Sequence, residues 1–333
     1  MKKLPKLLVA VAAGTMLPLT AVGAAAAAPD APAVPAAFAA PAAPAEIKTA
    51  PYIDVMQESP TLPEVAEATG QKHFTLAFVL GSAAGCTPMW GGEAALDDQR
   101  IIGQIDELRA QGGDVIVATG GAMGPYLESV CGTSDELLNA YKSILDTTGS
   151  NHLDIDVEAT IQHDVVNEAL AKLQAERGTQ VSYTLRVQSD ETGLDPYSVQ
   201  VLQSAADHGV DVLVNPMAME FGSQQPWGDA VIAAAEATLG QMKEIWPDVD
   251  EAELKAKLGV TPMIGRNFNG NEFTQEHAQQ LVDWAGQNQI GLLSFWSTGR
   301  DNGGCPGGAV SPTCSSIEQQ PYEFTQIFQG FGG

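Results

Sequence analysis

The sequence of 333 residues is poor in basic side chains: lysine and arginine together number 16, against 41 aspartates and glutamates, for a formal net charge of −25. A surface this acidic repels the phosphates of nucleic acids and the head groups of anionic lipids. We therefore expect neither nucleic-acid binding nor attachment to a membrane surface. A neutral ligand fits the composition better.

Cysteine and histidine are also scarce, with four and five residues respectively. The chain has no Cys-x-x-Cys and no His-Glu-x-x-His pattern, so the usual sequence signs of a zinc site are missing. No Gly-x-Gly-x-x-Gly follows the first apolar run, which argues against a dinucleotide-binding fold. We expect no metal and no cofactor.

Long apolar runs are missing except near the N-terminus. Three lysines precede an apolar run at residues 7–13, and small residues follow at 23–28. This order predicts a secretory signal peptide over residues 1–28 and a secreted protein, and the run is short for a membrane anchor. Residues 29–47 are almost all alanine and proline, which predicts a disordered tether. One domain, at 48–333, would follow.

The four cysteines are Cys86, Cys131, Cys305 and Cys314. In an exported chain an even number of cysteines favours disulfides, and four cysteines allow three connectivities. Proximity along the sequence favours Cys86–Cys131 together with Cys305–Cys314.

Short apolar runs alternate with segments of helical periodicity along the rest of the chain. The predicted strands are 51–56, 73–81, 114–121, 152–159, 181–187, 210–220, 259–265 and 291–298. The predicted helices are 62–69, 101–111, 134–146, 165–177, 196–208, 229–246, 274–288 and 322–331. Eight such pairs predict an α/β protein with a single-domain (β/α)₈ TIM barrel, and an open doubly wound sheet is the alternative.

The fourth predicted strand carries three carboxylates at alternate positions: Asp154, Asp156 and Glu158. Alternate side chains of a strand share one face, and the apolar residues between them would face the helices, so the acids should face the barrel interior. Glu158 is nearest the C-terminal end of the strand, where barrel enzymes carry their active sites. Carboxylates this close cannot all ionise, which raises at least one pKa and suits a general acid.

The stretch LDIDVE at 153–158 resembles the D-x-D-x-E motif of the family 18 glycoside hydrolases, especially their secreted bacterial chitinase-like branch. Three further stretches are similar to motifs of that family on its third, sixth and eighth strands. They are VATGG at 117–121, NPMAMEFG at 215–222 and LLSFWSTGRD at 292–301. The four stretches follow one another in the order and spacing of a barrel.

The resemblance implies a substrate-assisted retaining mechanism. Glu158 would protonate the glycosidic oxygen, and the acetamido oxygen of the substrate would act as the nucleophile. Asp156 would accept a hydrogen bond from the acetamido N–H, and Asp154 would share a proton with Asp156.

The same resemblance implies that Trp296 is the floor on which the reacting sugar stacks. Other predicted substrate-binding residues are Met217, Met219, Glu220, Tyr183 and Trp90. The chain departs from the family at two adjacent positions, where Glu220 replaces an aspartate and Phe221 replaces a tyrosine. Tyr183 is the candidate that would supply the missing hydroxyl, and otherwise Phe221→Tyr should raise the rate modestly.

The leading hypothesis is a secreted, monomeric hydrolase that cleaves β-1,4 linkages next to N-acetylglucosamine in chitin or chitooligosaccharides. The second is an endo-β-N-acetylglucosaminidase acting on the N-glycans of glycoproteins. The third, from another class, is a catalytically weak or silent sugar-binding barrel.

Overall fold

The computed structural model describes residues 47–331. The predicted signal peptide (1–28) and all but the last residue of the predicted tether (29–47) lie outside this part of the chain. Within 47–331, none of the helices combines the length and the apolar character that crossing a bilayer requires.

Eight strands run parallel in the order of the sequence. They are β1 (Tyr52–Asp54), β2 (His73–Ser82), β3 (Asp114–Gly120), β4 (His152–Val157), β5 (Gln180–Ser189), β6 (Val212–Met217), β7 (Gly259–Val260) and β8 (Leu292–Leu293). Continuous ladders join β1 through β6, and β7 pairs with β8. Single bridges join β6 to Leu258 and Thr261, on either side of β7, and join Leu293 of β8 to Thr49, just before β1. The sheet therefore closes, and the predicted (β/α)₈ barrel is confirmed.

A helix follows each strand and covers the barrel from outside. The helices are α1 (Leu62–Thr69), α2 (Gln99–Ala110), α3 (Ser134–Thr148), α4 (His163–Arg177), α5 (Pro196–Asp207), α6 (Trp227–Ile245), α7 (Gln275–Asn288) and α8 (Glu323–Phe328). Local signals set their starts: Thr61 and Glu64 form a capping box at α1, and the Thr133 side chain caps α3. The buried faces of the helices and the outward side chains of the strands form the main apolar core.

The last two strands are shorter than the sequence predicts. Pro262 follows β7 closely and has no N–H to donate, so the ladder is interrupted there. The chain still runs alongside β8, since the Trp296 N–H donates to the carbonyl of Pro262 and Met263 bridges to Trp296.

Two disulfides are present with the predicted pairing. Cys86–Cys131 joins the short strand Gly85–Trp90, after β2, to the end of the short helix Leu127–Val130, after β3. Cys305–Cys314 closes a loop after β8. Each bridge therefore lies in a loop that follows a barrel strand.

His152, the first residue of β4, is only 9% exposed, and neither ring nitrogen has a hydrogen-bond partner within residues 47–331. Burial lowers the pKa of this imidazole to about 4, although the charge of Asp114 opposes the shift. An unfolded histidine binds its proton near pH 6.5. The unfolded chain therefore binds more protons than the folded protein between these values, and stability falls as the pH decreases from about 6.5 to 4.

We expect His152→Leu to remove this pH dependence. Between pH 7 and pH 5 the wild type should lose about 2 kcal/mol more of its unfolding free energy than the variant does. Guanidinium unfolding curves at both pH values measure the difference. Equal losses in the two proteins would show that the folded protein hydrates or protonates this ring.

Candidate active site

The predicted catalytic end of the barrel contains a cavity of about 260 Å³. Six of the predicted site residues line it, namely Asp156, Glu158, Met217, Met219, Glu220 and Trp296. A larger hollow of about 360 Å³ lies at the opposite ends of β4 to β6 and contains His152 but none of the three acids. Because Asp156, Glu158 and Trp296 meet in the smaller cavity, we take that one as the candidate active site.

Asp154 is buried at the bottom of the acid row. Its carboxylate accepts hydrogen bonds from the hydroxyls of Tyr52 (2.8 Å), Ser182 (2.5 Å) and Thr184 (3.0 Å). Burial raises the pKa of Asp154 to about 6, and the three hydroxyl donors limit the rise. Asp154 is thus held in place by β1 and β5 and does not line the cavity.

Asp156 lies one step closer to the cavity and is also buried, at 5% exposure. Its Oδ1 has no hydrogen-bond partner within residues 47–331. Burial, followed by the charges of Glu158 and Asp154, raises the pKa of Asp156 well above its ordinary value. A carboxyl group that is desolvated, close to two other acids and left with an unpaired oxygen is suited to bind a donor on a ligand.

Glu158 directly follows β4 and is half-buried. Burial raises its pKa, and the positive charge of Arg186 partly offsets the rise. Its backbone N–H donates to the hydroxyl of Tyr126 at 3.3 Å, which fixes the chain at the point where the carboxyl group enters the cavity. The charge of Glu158 raises the pKa of Asp156, so the two carboxyl groups interact and their apparent pKa values belong to the pair.

Trp296 forms an aromatic wall of the cavity. Its ring stacks on Phe78, with ring centres 5.8 Å apart and planes 16° apart, and lies 6.0 Å from the ring of Tyr52. Trp296 remains half-buried, so part of the ring is open to the cavity. An indole face held by two neighbouring rings can receive the apolar face of a sugar.

Two predicted binding residues are wrong. Tyr183 is fully buried and donates to Oδ1 of Asn167 on α4 at 2.7 Å, because it pairs in register with Ile155, on the helix-facing side of the sheet. Trp90 is also fully buried, and its indole N–H donates to the carbonyl of Leu96 at 3.1 Å. Both side chains contribute to the core and neither lines the cavity.

The expectation for Phe221 also needs correction. Its ring is 3% exposed, packs on Trp227 with ring centres 4.7 Å apart, and does not line the cavity. We now expect Phe221→Tyr to leave the rate unchanged and to lower stability by about 1–3 kcal/mol, because the added hydroxyl enters a packed core. Thermal unfolding and kcat of the variant measure both effects, and a faster variant would reinstate the original expectation.

Besides the small residues Ala122, Thr184 and Thr261, four larger cavity residues were missed by the sequence analysis: Tyr52, Phe78, Met263 and Phe268. For Tyr52 a signal existed, since strand alternation in 51–56 places it on one face together with Asp54. The other three carry no recognisable pattern. Within residues 47–331 no group of three or more histidine, cysteine or acidic side chains has the arrangement of a metal site.

No protein-family model matches the sequence. The solved active domain 2 of a thermostable chitinase from Pyrococcus furiosus, a catalytic-site mutant complexed with chito-oligosaccharides, is 39% identical. The match covers 86% of this chain and 94% of that chain, with a TM-score of 0.81. A family GH18 chitinase from Chromobacterium violaceum is 13% identical with a TM-score of 0.53 and shows the likeness of fold alone.

Two further relatives are similar in sequence. A probable bifunctional chitinase/lysozyme of Escherichia coli (strain K12) is 32% identical over 310 residues, which cover 85% of this chain and 34% of that protein. Endochitinase 11 of Metarhizium anisopliae is 31% identical over 275 residues, which cover 76% of this chain and 52% of that protein. The match thus spans between a third and about half of these relatives.

The closed barrel, the acid row at its catalytic end and these similarities define the class as the (β/α)₈-barrel glycosidases. Within that class, the chain belongs to the family 18 glycoside hydrolases.

Proposed function

We propose that this protein hydrolyses β-1,4 linkages next to N-acetylglucosamine in chitin or chitooligosaccharides. The observation that carries the proposal is the buried row of Asp154, Asp156 and Glu158, whose pKa values are all raised and which opens into a cavity beside Trp296. The chitinases among its relatives support the choice of substrate.

In the proposed mechanism, Glu158 is the general acid. Its raised pKa keeps the carboxyl group protonated closer to neutral pH than that of an ordinary glutamate. The proton passes to the glycosidic oxygen as the bond from that oxygen to the anomeric carbon breaks. The electron pair of the broken bond stays with the leaving sugar.

The nucleophile is the acetamido carbonyl oxygen of the substrate, which attacks the anomeric carbon and forms a cyclic oxazolinium ion. Asp156, with its unpaired Oδ1, accepts the acetamido N–H and places its negative charge beside the developing cation. Water then attacks the anomeric carbon and gives a proton to the Glu158 carboxylate, while the bond from that carbon to the acetamido oxygen breaks and its electron pair returns to the acetamido group. Two inversions at the anomeric carbon retain its configuration.

Asp154 does not contact the substrate and acts through Asp156. Its carboxyl group is fixed below Asp156 by hydrogen bonds from the hydroxyls of Tyr52, Ser182 and Thr184. A proton shared between the two aspartates lets Asp156 change its charge as the oxazolinium ion forms and breaks down.

We further propose that the protein acts outside the cell as a monomer. Two disulfides support an oxidising compartment. Large apolar side chains on the surface of residues 47–331 are limited to Met56, Met123 and Phe268, which leaves little apolar area for a stable subunit interface.

A side-by-side assay on chitotetraose and on an N-glycosylated immunoglobulin tests the substrate, with Glu158→Gln as the inactive control. We expect release of shorter oligomers from chitotetraose and no change in the glycoprotein. Removal of glycans without cleavage of chitotetraose would favour the N-glycan hypothesis. Binding of chitotetraose without any cleavage would favour a silent sugar-binding barrel.

A further inference from the structure

Phe268 is a cavity residue that the proposed mechanism does not use. Its side chain is 78% exposed, the highest value among the large apolar residues of 47–331, and yet it lines the same cavity as Trp296. It lies in the turn between two short antiparallel strands, Gly265–Arg266 and Glu272–Phe273, which follow β7. A ligand that enters the cavity can cover this ring and remove its apolar surface from water, which favours binding.

Glu220 holds the turn from the other side of the cavity mouth. Its Oε1 accepts the backbone N–H of Phe268 at 2.8 Å, and its Oε2 accepts that of Asn269 at 2.9 Å. The Asn269 side chain in turn donates to the carbonyl of Phe221 at 2.9 Å. The loop after β6 and the turn after β7 are therefore tied together by three hydrogen bonds, two of them to one carboxylate.

The base of the turn is equally well held. Arg266 and Glu272 form an ion pair at 2.7 Å across the two short strands. The Asn267 N–H donates to the carbonyl of Asn271 at 2.8 Å, and its side chain donates to the carbonyl of Met263 at 2.9 Å. With the backbone fixed at its base and its tip, the ring of Phe268 is presented in a defined place at little further entropic cost on binding.

We propose that Phe268 is a second aromatic platform, which binds a sugar unit of the chain next to the one on Trp296, and that Glu220 is the residue that positions it. This inference rests on the proposed function. It also gives a reason for glutamate rather than aspartate at position 220. Both carboxylate oxygens must reach across to consecutive amide groups, and an aspartate is one methylene shorter.

The test compares N-acetylglucosamine oligomers of two to six units. In the Glu158→Gln background, Phe268→Ala should raise the Kd for the hexamer by about three- to tenfold and the Kd for the dimer by much less. Phe268→Trp should restore the affinity for the hexamer. Met123→Ala is the matched control: it truncates another exposed apolar side chain (73% exposed) that does not line the cavity, and it should change neither Kd.

Glu220→Gln tests the positioning role, because it keeps the length of the side chain but turns one acceptor into a donor that faces an N–H. It should weaken hexamer binding as Phe268→Ala does, and the two changes together should add little to either alone. Full additivity would overturn the link between the two residues.

An equal loss of affinity at every oligomer length, or a loss of the same size in Met123→Ala, would overturn the platform. The same substitutions are also made in the protein that retains Glu158, where cleavage of the oligomers can be measured. This measurement separates a failure of the platform from a failure of the proposed function. Cleavage of the oligomers without any dependence of KM on Phe268 refutes only the platform. Oligomer binding that depends on Phe268 without cleavage refutes only the hydrolase.

Discussion

Replacing Glu158 by glutamine should lower kcat on chitotetraose by about a thousandfold. The amide has nearly the size of the carboxyl group but has no acidic proton to give to the leaving oxygen. Because Glu158 follows β4 and its carboxyl group opens to the cavity, the substitution leaves the barrel packing unchanged. The variant should therefore fold normally and bind the oligomer with a Kd close to that of the wild type.

The control for this substitution is Glu244→Gln, which makes the same chemical change at an exposed position on the outer helix α6. That variant should retain wild-type kcat and thermal stability. If purified Glu158→Gln keeps more than a few per cent of wild-type activity, another group donates the proton and the assignment of the general acid fails.

The barrel could be predicted from the sequence because each strand is a short apolar run bounded by turn residues, and each helix has its own periodicity. The direction of the acid row followed from alternation alone: the apolar neighbours of Asp154 and Asp156 had to face the helices, and they do. The sequence alone does not show which side chains of β5 point into the barrel and which point toward the helices. Ser182 and Thr184 point inward to Asp154 while Tyr183 points outward, and only the register with β4 decides this.

Aromatic residues were harder to predict for a similar reason. Trp90 and Trp296 both lie near the C-terminal ends of strands, but Trp90 packs inward under its own loop and Trp296 faces the cavity. The position of Phe268 depends on hydrogen bonds to Glu220, which is 48 residues earlier in the chain. Contacts of this kind between loops leave no local pattern in the sequence.

Asp156→Asn is expected to lower kcat by about 10²- to 10³-fold, because a neutral amide cannot place a negative charge beside the oxazolinium ion.

The same substitution should also change the pH profile of kcat. Glu158 is active when protonated, so activity is present at low pH and is lost as the pH rises through its pKa. In the proposed complex with substrate, Asp156 is ionised and accepts the acetamido N–H, and its negative charge makes it harder for Glu158 to lose its proton. Removing that charge lowers the pKa of Glu158 in the complex and moves the alkaline limb of kcat, which reports the complex, to lower pH.

The two effects of Asp156→Asn together distinguish a direct electrostatic role from a loss of packing. A variant that is merely misfolded would lose activity at every pH without moving the limb, and its thermal unfolding would reveal the defect. Asp97→Asn is the matched control, since it removes the same charge from an exposed position outside the cavity and should leave both kcat and the limb in place. An alkaline limb that stays at the wild-type pH in Asp156→Asn would mean that the two carboxyl groups do not share their titration. Glu158 would then owe its raised pKa to burial alone, and the charge of Asp156 would have no part in keeping the general acid protonated.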